Sequence, residues 1–128
     1  MVRVKATREG DIGKLTATGY RIDTVVPFVA LPSTHALYRF VRLRNPANGA
    51  VALAVVLDVG PWNEHDDAYV FGVRRPAAEN GRDERNRVTN GAGIDLSERI
   101  WFELGMKDNA EIEWEFLSVL PAPAPANV

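Results

Sequence analysis

Residues 45–59 read NPANGAVALAVVLDV, a turn signal followed by a run that is apolar at almost every position. Asn48-Gly49 between two strand-like segments marks a hairpin, because both residues tolerate the positive φ that tight turns require. The run Ala50–Val59 has no polar face, so it is expected as a strand in the middle of a closed or covered sheet. Asp58, near its end, is the residue out of character. Outward from this strand the same pattern recurs. Leu37–Arg44 alternates, with Leu37, Arg39, Val41 and Leu43 opposed to Tyr38, Phe40, Arg42 and Arg44. Val2–Thr7 and Ala110–Val119 alternate too, the latter setting Ile112, Trp114 and Phe116 against Glu111, Glu113 and Glu115. Thr24–Leu31 is apolar but carries Pro27, which assigns it to an edge or a short strand. The fold class is mainly β.

Between the strands, a polar loop runs to Gly19, and a long irregular excursion runs from Gly60 to Gly93. Loops of that length within a small domain are usually functional or disordered. Glu98–Leu104 reads as one short helix with Leu96, Ile100, Trp101 and Leu104 on a single face, capped by Asp95 or Ser97 and stopped by Gly105. The 128 residues suffice for one domain, expected over 1–119, with the Pro/Ala-rich 120–128 as a tail or linker. A net charge of -2 gives no reason to expect binding to nucleic acid. Cys is absent, which excludes disulfides, thiolate chemistry and sulfur-built zinc sites. The first residues lack the apolar core of a signal peptide and no stretch is long enough to span a bilayer, so membrane insertion is not expected.

An ordered set of short motifs resembles the rare lipoprotein A-like and expansin-like domains. Thr16-Ala17-Thr18-Gly19 is similar to their opening TASG segment, and Ala30-Leu31-Pro32 to their Leu-Pro step. Val41–Asn45 with Asn48-Gly49 resembles their V-x-V-T-N…N-G hairpin, and Asp58-Val59-Gly60-Pro61 resembles D-R-G-P. Gly93-Ile94-Asp95-Leu96-Ser97 is similar to G-R-x-I-D-L-S, and Gly105-Met106 to the L-G-M after the helix. The resemblance implies a six-stranded double-psi β-barrel, with one short helix and the long excursion, and a groove that handles cell-wall glycans.

Glycosidic cleavage requires a carboxyl group to protonate the leaving oxygen. The resemblance places the catalytic acid/base at Asp58 and a second functional carboxylate at Asp95. Burial at the end of an apolar strand would raise the pKa of Asp58 and suit it to that role. The same residues also fit plainer duties, Asp58 closing the turn after it and Asp95 capping the helix. In Trp62-Asn63-Glu64-His65-Asp66-Asp67-Ala68-Tyr69, Trp62 and Tyr69 are candidate sugar platforms, with Asn63, His65 and Asp66 reading hydroxyls; packing of both rings onto the barrel is the competing expectation. Glu64, His65, Asp66 and Asp67 carry metal-ligating atoms, but their spacing fixes no geometry, so neither metal nor cofactor is expected. Two positions depart from the transglycosylase pattern: Phe28 stands where its histidine would, and Val59 replaces the Arg of D-R-G-P. His35 and His65 are the histidines available to substitute.

The expected function is therefore a cell-wall glycan-acting domain resembling lytic transglycosylases, with polysaccharide, peptidoglycan above all, as partner. The alternative is a non-catalytic glycan-binding or assembly module on the same barrel, joined to a partner through the tail. On the family role, the location would be the cell envelope or outside the cell.

Overall fold

The computed structural model describes residues 1–117; the expected tail at 120–128 lies outside the described residues. Six strands, β1 (Val2–Arg8), β2 (Phe28–Leu31), β3 (Phe40–Arg44), β4 (Val51–Val59), β5 (Ile94–Leu96) and β6 (Ala110–Phe116), close into a barrel. Its order is β1-β5-β2-β4-β3-β6, with β1/β5 and β2/β4 parallel and the other neighbours antiparallel. This is the double-psi β-barrel expected. Among the described residues two short helices accompany it rather than the one expected: α2 (Glu98–Glu103) where the sequence placed it, and α1 (Asp67–Val70) within the excursion.

The interior is filled by the inward residues of every strand, among them Val4, Val29, Leu31, Val41, Leu43, Val56, Ile94, Leu96 and Ile112, all fully buried. The hairpin forms as read: Arg44 pairs with Val51, and the loop between them is closed by Gly49 N donating to Asn45 O at 2.8 Å. β4 is central, flanked by β2 and β3, but it is not buried on both faces. Ala52, Ala54 and Val56 point inward, while Val51 and Leu53 are exposed at 47% and 55%. A barrel needs only its inner side apolar, and the outward residues of β4 range from half-buried to exposed.

Two element boundaries also shift. β3 starts at Phe40 rather than Leu37, because a 3-10 turn at Thr34–Ala36 and a positive φ of 68° at Tyr38 come first. β2 starts at Phe28, after Pro27. On β6 the outward glutamates meet arginines of neighbouring strands: Glu113 accepts from Arg44 at 2.8 Å, with Arg3 at 3.6 Å, and Glu115 faces Arg42 at 3.6 Å. The excursion is ordered rather than irregular. It contains α1 and a 3-10 turn at Ala77–Asn80, and it inserts Tyr69, Val70 and Ala78 into buried positions.

Candidate functional site

The register that closes the barrel also gathers its carboxyl groups. Thr7 of β1 pairs with Asp95 of β5, Asp95 pairs with Ala30 of β2, and Ala30 pairs with Asp58 of β4. Residues opposite one another in a sheet project to one face. Asp95 and Asp58 thus flank Ala30 on one face, with Ile94, Leu96 and Val56 turned into the core. A register shift between Val29 and Ala30 brings Asp58, rather than Leu57, opposite Ala30.

A third carboxyl joins them. Immediately after β1, Glu9 N donates to Leu96 O at 2.8 Å, which prolongs the β1/β5 pairing by one step. The Glu9 carboxyl lies beside those of Asp58 and Asp95. Burial, followed by these two acidic neighbours, pushes Glu9 far above the usual carboxylate range, to about 10. Burial also raises Asp95, to about 6, against the hydrogen bond it accepts from the Thr7 hydroxyl. Asp58 Oδ1 accepts two backbone N–H groups, from Ala17 and from Val59, both at 2.9 Å. Among the described residues, no Lys, Arg or His forms an ion pair with any of the three. With no cation to offset it, three adjacent negative charges are costly, which favours a proton retained within the cluster.

Gly60 borders this centre with φ of 139°, a conformation that favours glycine. A Cβ there would lie 3.8 Å from Asp95 Oδ2. Two residues on, Trp62 adopts a φ of 68° and is half-buried. Its indole N–H donates to Asn90 Oδ1 at 2.9 Å, and the Arg87 guanidinium lies 5.8 Å from its ring.

The other expected sugar contacts are placed differently. Tyr69 is 2% exposed. Its hydroxyl donates to Gly93 O and accepts from the Trp114 indole, so it belongs to the core and offers no platform. Gly93 permits this packing, since a Cβ there would meet the Tyr69 hydroxyl at 2.9 Å and Pro76 at 2.8 Å. Asn63 is buried, and its Oδ1 accepts from Glu84 N at 2.9 Å. Asp66 accepts from Ala77 N at 2.8 Å, fixing the excursion's own backbone. Asp95 does not cap α2; Ser97 does, accepting from Ile100 N.

The two histidines form a separate group. His35 Nδ1 lies 2.6 Å from Asp67 Oδ2, whose other oxygen accepts from the Ser33 hydroxyl; His65 is bridged through its backbone to Ser33. The buried Ser33 hydroxyl, followed by the exposed His35 ring, holds Asp67 below the usual carboxylate range. Phe28, at the position of the family histidine, is fully buried and stacks edge-on with Tyr20.

Sequence reasoning named Asp58 and Asp95 and missed Glu9, which sits in a polar stretch that reads as loop. Its only signal is the parallel β1/β5 register, and that register exists once β5 is known.

A double-psi barrel with a three-carboxyl centre is the class of protein these features define. The chain belongs to the family described as Domain of unknown function (DUF8814), which matches residues 1–78. That match carries Glu9, Asp58 and the whole of β1 to β4, while Asp95 lies beyond it. No curated protein matches the sequence. Among solved structures, cerato-platanin 3 from M. perniciosa superposes with a TM-score of 0.54 at 10% identity, covering 91% of this chain and 95% of its own. Streptomyces papain inhibitor aligns with a TM-score of 0.49 at 16% identity, covering 88% of this chain and 92% of its own. The first of these likenesses bears on the fold alone.

Proposed function

We propose that this domain acts on polysaccharide of the cell wall, as its resemblance to rare lipoprotein A-like and expansin-like domains implies, with Glu9, Asp58 and Asp95 as its chemical centre. The observation that carries this reading is geometric: the barrel register sets Asp58 and Asp95 about Ala30 on one face, with Glu9 beside them, and burial raises the Glu9 carboxyl above the usual range. Pairs of acids whose environments separate their pKa values are how glycan-cleaving sites obtain both an acid and a base. In a lytic step, the Glu9 proton passes to the glycosidic oxygen as its bond to the sugar C1 breaks. A hydroxyl of the same sugar forms the new bond to C1, and its proton passes to Asp58 or Asp95. The protein then regains its starting proton count by redistribution within the cluster, and no water is consumed. Trp62, adjoining the centre across Gly60, is the aromatic surface available to a sugar ring.

A second reading, a barrel that binds glycan or serves an assembly without cleaving, is favoured by a different observation. Asp58 Oδ1 is already engaged by two N–H donors, and none of three cavities of about 370, 240 and 220 Å³ is lined by Glu9, Asp58 or Asp95. The two readings part in one experiment: incubation with purified peptidoglycan sacculi, comparing wild type, Glu9→Gln and Asp58→Asn. Soluble products are read by mass spectrometry and bound protein by sedimentation. Cleavage predicts released fragments with anhydro-sugar ends that disappear in both variants while sedimentation persists. Sedimentation without release supports the second reading. Neither sedimentation nor release would remove peptidoglycan as the ligand.

A further inference from the structure

The geometry points to a divalent transition-metal site formed by Glu64, His65 and Glu84, suited to a zinc-like ion and independent of the glycan reading. One ligand atom from each residue lies within 4.8 Å of the others. A four-coordinate ion with bonds of about 2.0–2.2 Å spaces its donors roughly 3.3 Å apart, so small rotations of three exposed side chains close the set.

The backbone beneath them is already fixed. Glu84 Oε1 accepts from Glu64 N at 3.1 Å, while Glu84 N donates to the buried Asn63 Oδ1 at 2.9 Å. This reciprocal pair ties the two arms of the excursion together. Thr34 N donating to Glu64 O at 3.1 Å, with the bridge between Ser33 and His65, holds the first arm to the barrel. Binding an ion therefore orders only side-chain ends.

His65 and Glu84 also line the cavity of about 240 Å³, so the open coordination position faces space where water or a ligand oxygen fits. One imidazole nitrogen with two carboxylate oxygens matches a borderline ion, whereas calcium and magnesium favour larger all-oxygen sets. The nearest opposing charges are weakly engaged: Arg85 reaches Glu64 at 4.0 Å with both groups exposed, and Arg82 at the cavity wall donates to Asn86 O.

The sequence grouped Glu64 and His65 with Asp66 and Asp67. The fold gives Asp66 to Ala77 N and Asp67 to His35, and brings Glu84 from the far arm in their place.

The test is calorimetric titration of the full chain with Zn²⁺ in a non-coordinating buffer, with Mg²⁺ and Ca²⁺ as comparisons. Variants are His65→Ala, Glu84→Gln and His35→Ala, each checked for folding by circular dichroism. Saturable one-to-one Zn²⁺ binding is expected, weakened at least about tenfold in folded His65→Ala and Glu84→Gln, unchanged in His35→Ala, and absent with Mg²⁺ or Ca²⁺. The proposal is overturned by absence of saturable Zn²⁺ binding, by binding indifferent to His65→Ala, or by binding lost in His35→Ala, which would move the ion to the Asp67 pair.

Discussion

Glu9 sits buried beside two other carboxyl groups, and its environment has a consequence for stability. Its carboxyl and that of Asp95 are both raised, so the folded chain retains protons that the unfolded chain releases in the ordinary carboxyl range. The stabilising effect of that retention is complete at acid pH. It is lost progressively as pH rises from the unfolded value of about 4 towards the folded values. Glu9→Gln keeps a hydrogen-bond donor and removes the latent charge. Thermal unfolding should show the variant more stable than wild type by about 1–2 kcal/mol near pH 8, with a much smaller difference near pH 4.5. A difference independent of pH would mean that Glu9 is not linked to protonation. Asp58 was legible at this scale because an acid ending an apolar run stands out. Glu9 was not, because an acid in a polar loop looks like any other.

At the scale of elements, the strands were readable down to the four-residue β2, which Pro27 marked as short, while β5 was not. β1, β3, β4 and β6 announce themselves by alternation or by a continuous apolar run. β5 spans only Ile94–Leu96, too short for a period to be seen, and it is a strand because β1 and β2 supply its partners. The long excursion was misread for a related reason. Its polar composition hides the buried Tyr69, Val70 and Ala78, and an aromatic in such a segment is equally compatible with exposure. The helix was read correctly, and its cap does more than end it. Ser97 Oγ, fully buried, accepts from Ile100 N at 3.3 Å and from Phe28 N at 3.1 Å, joining α2 to β2. Ser97→Ala removes a cap and leaves a strand N–H buried without its side-chain acceptor. Denaturant unfolding should register a loss of about 1–3 kcal/mol, with the far-ultraviolet spectrum unchanged. A loss below a few tenths would show that neither bond matters in solution.

For the whole molecule, the closed barrel turns sequence separation into proximity. Glu9, Asp58 and Asp95 come from three distant stretches, and the parallel pairs β1/β5 and β2/β4, with β5 against β2 between them, set them side by side. Ordered short motifs sufficed to foresee the architecture, because a barrel of this kind constrains its turns and glycines. The centre was only two-thirds visible, because its third member depends on register. A centre of this kind should hold a proton at neutral pH. The most direct test is a titration of the side-chain carboxyl carbons by NMR on the intact chain, with Glu9→Gln and Asp95→Asn used for assignment. The expected result is that Asp95 and Glu9 both titrate above the ordinary carboxyl range, Glu9 after Asp95. Independent titration of Glu9 and Asp95 near pH 4, as in unstructured peptides, would contradict it.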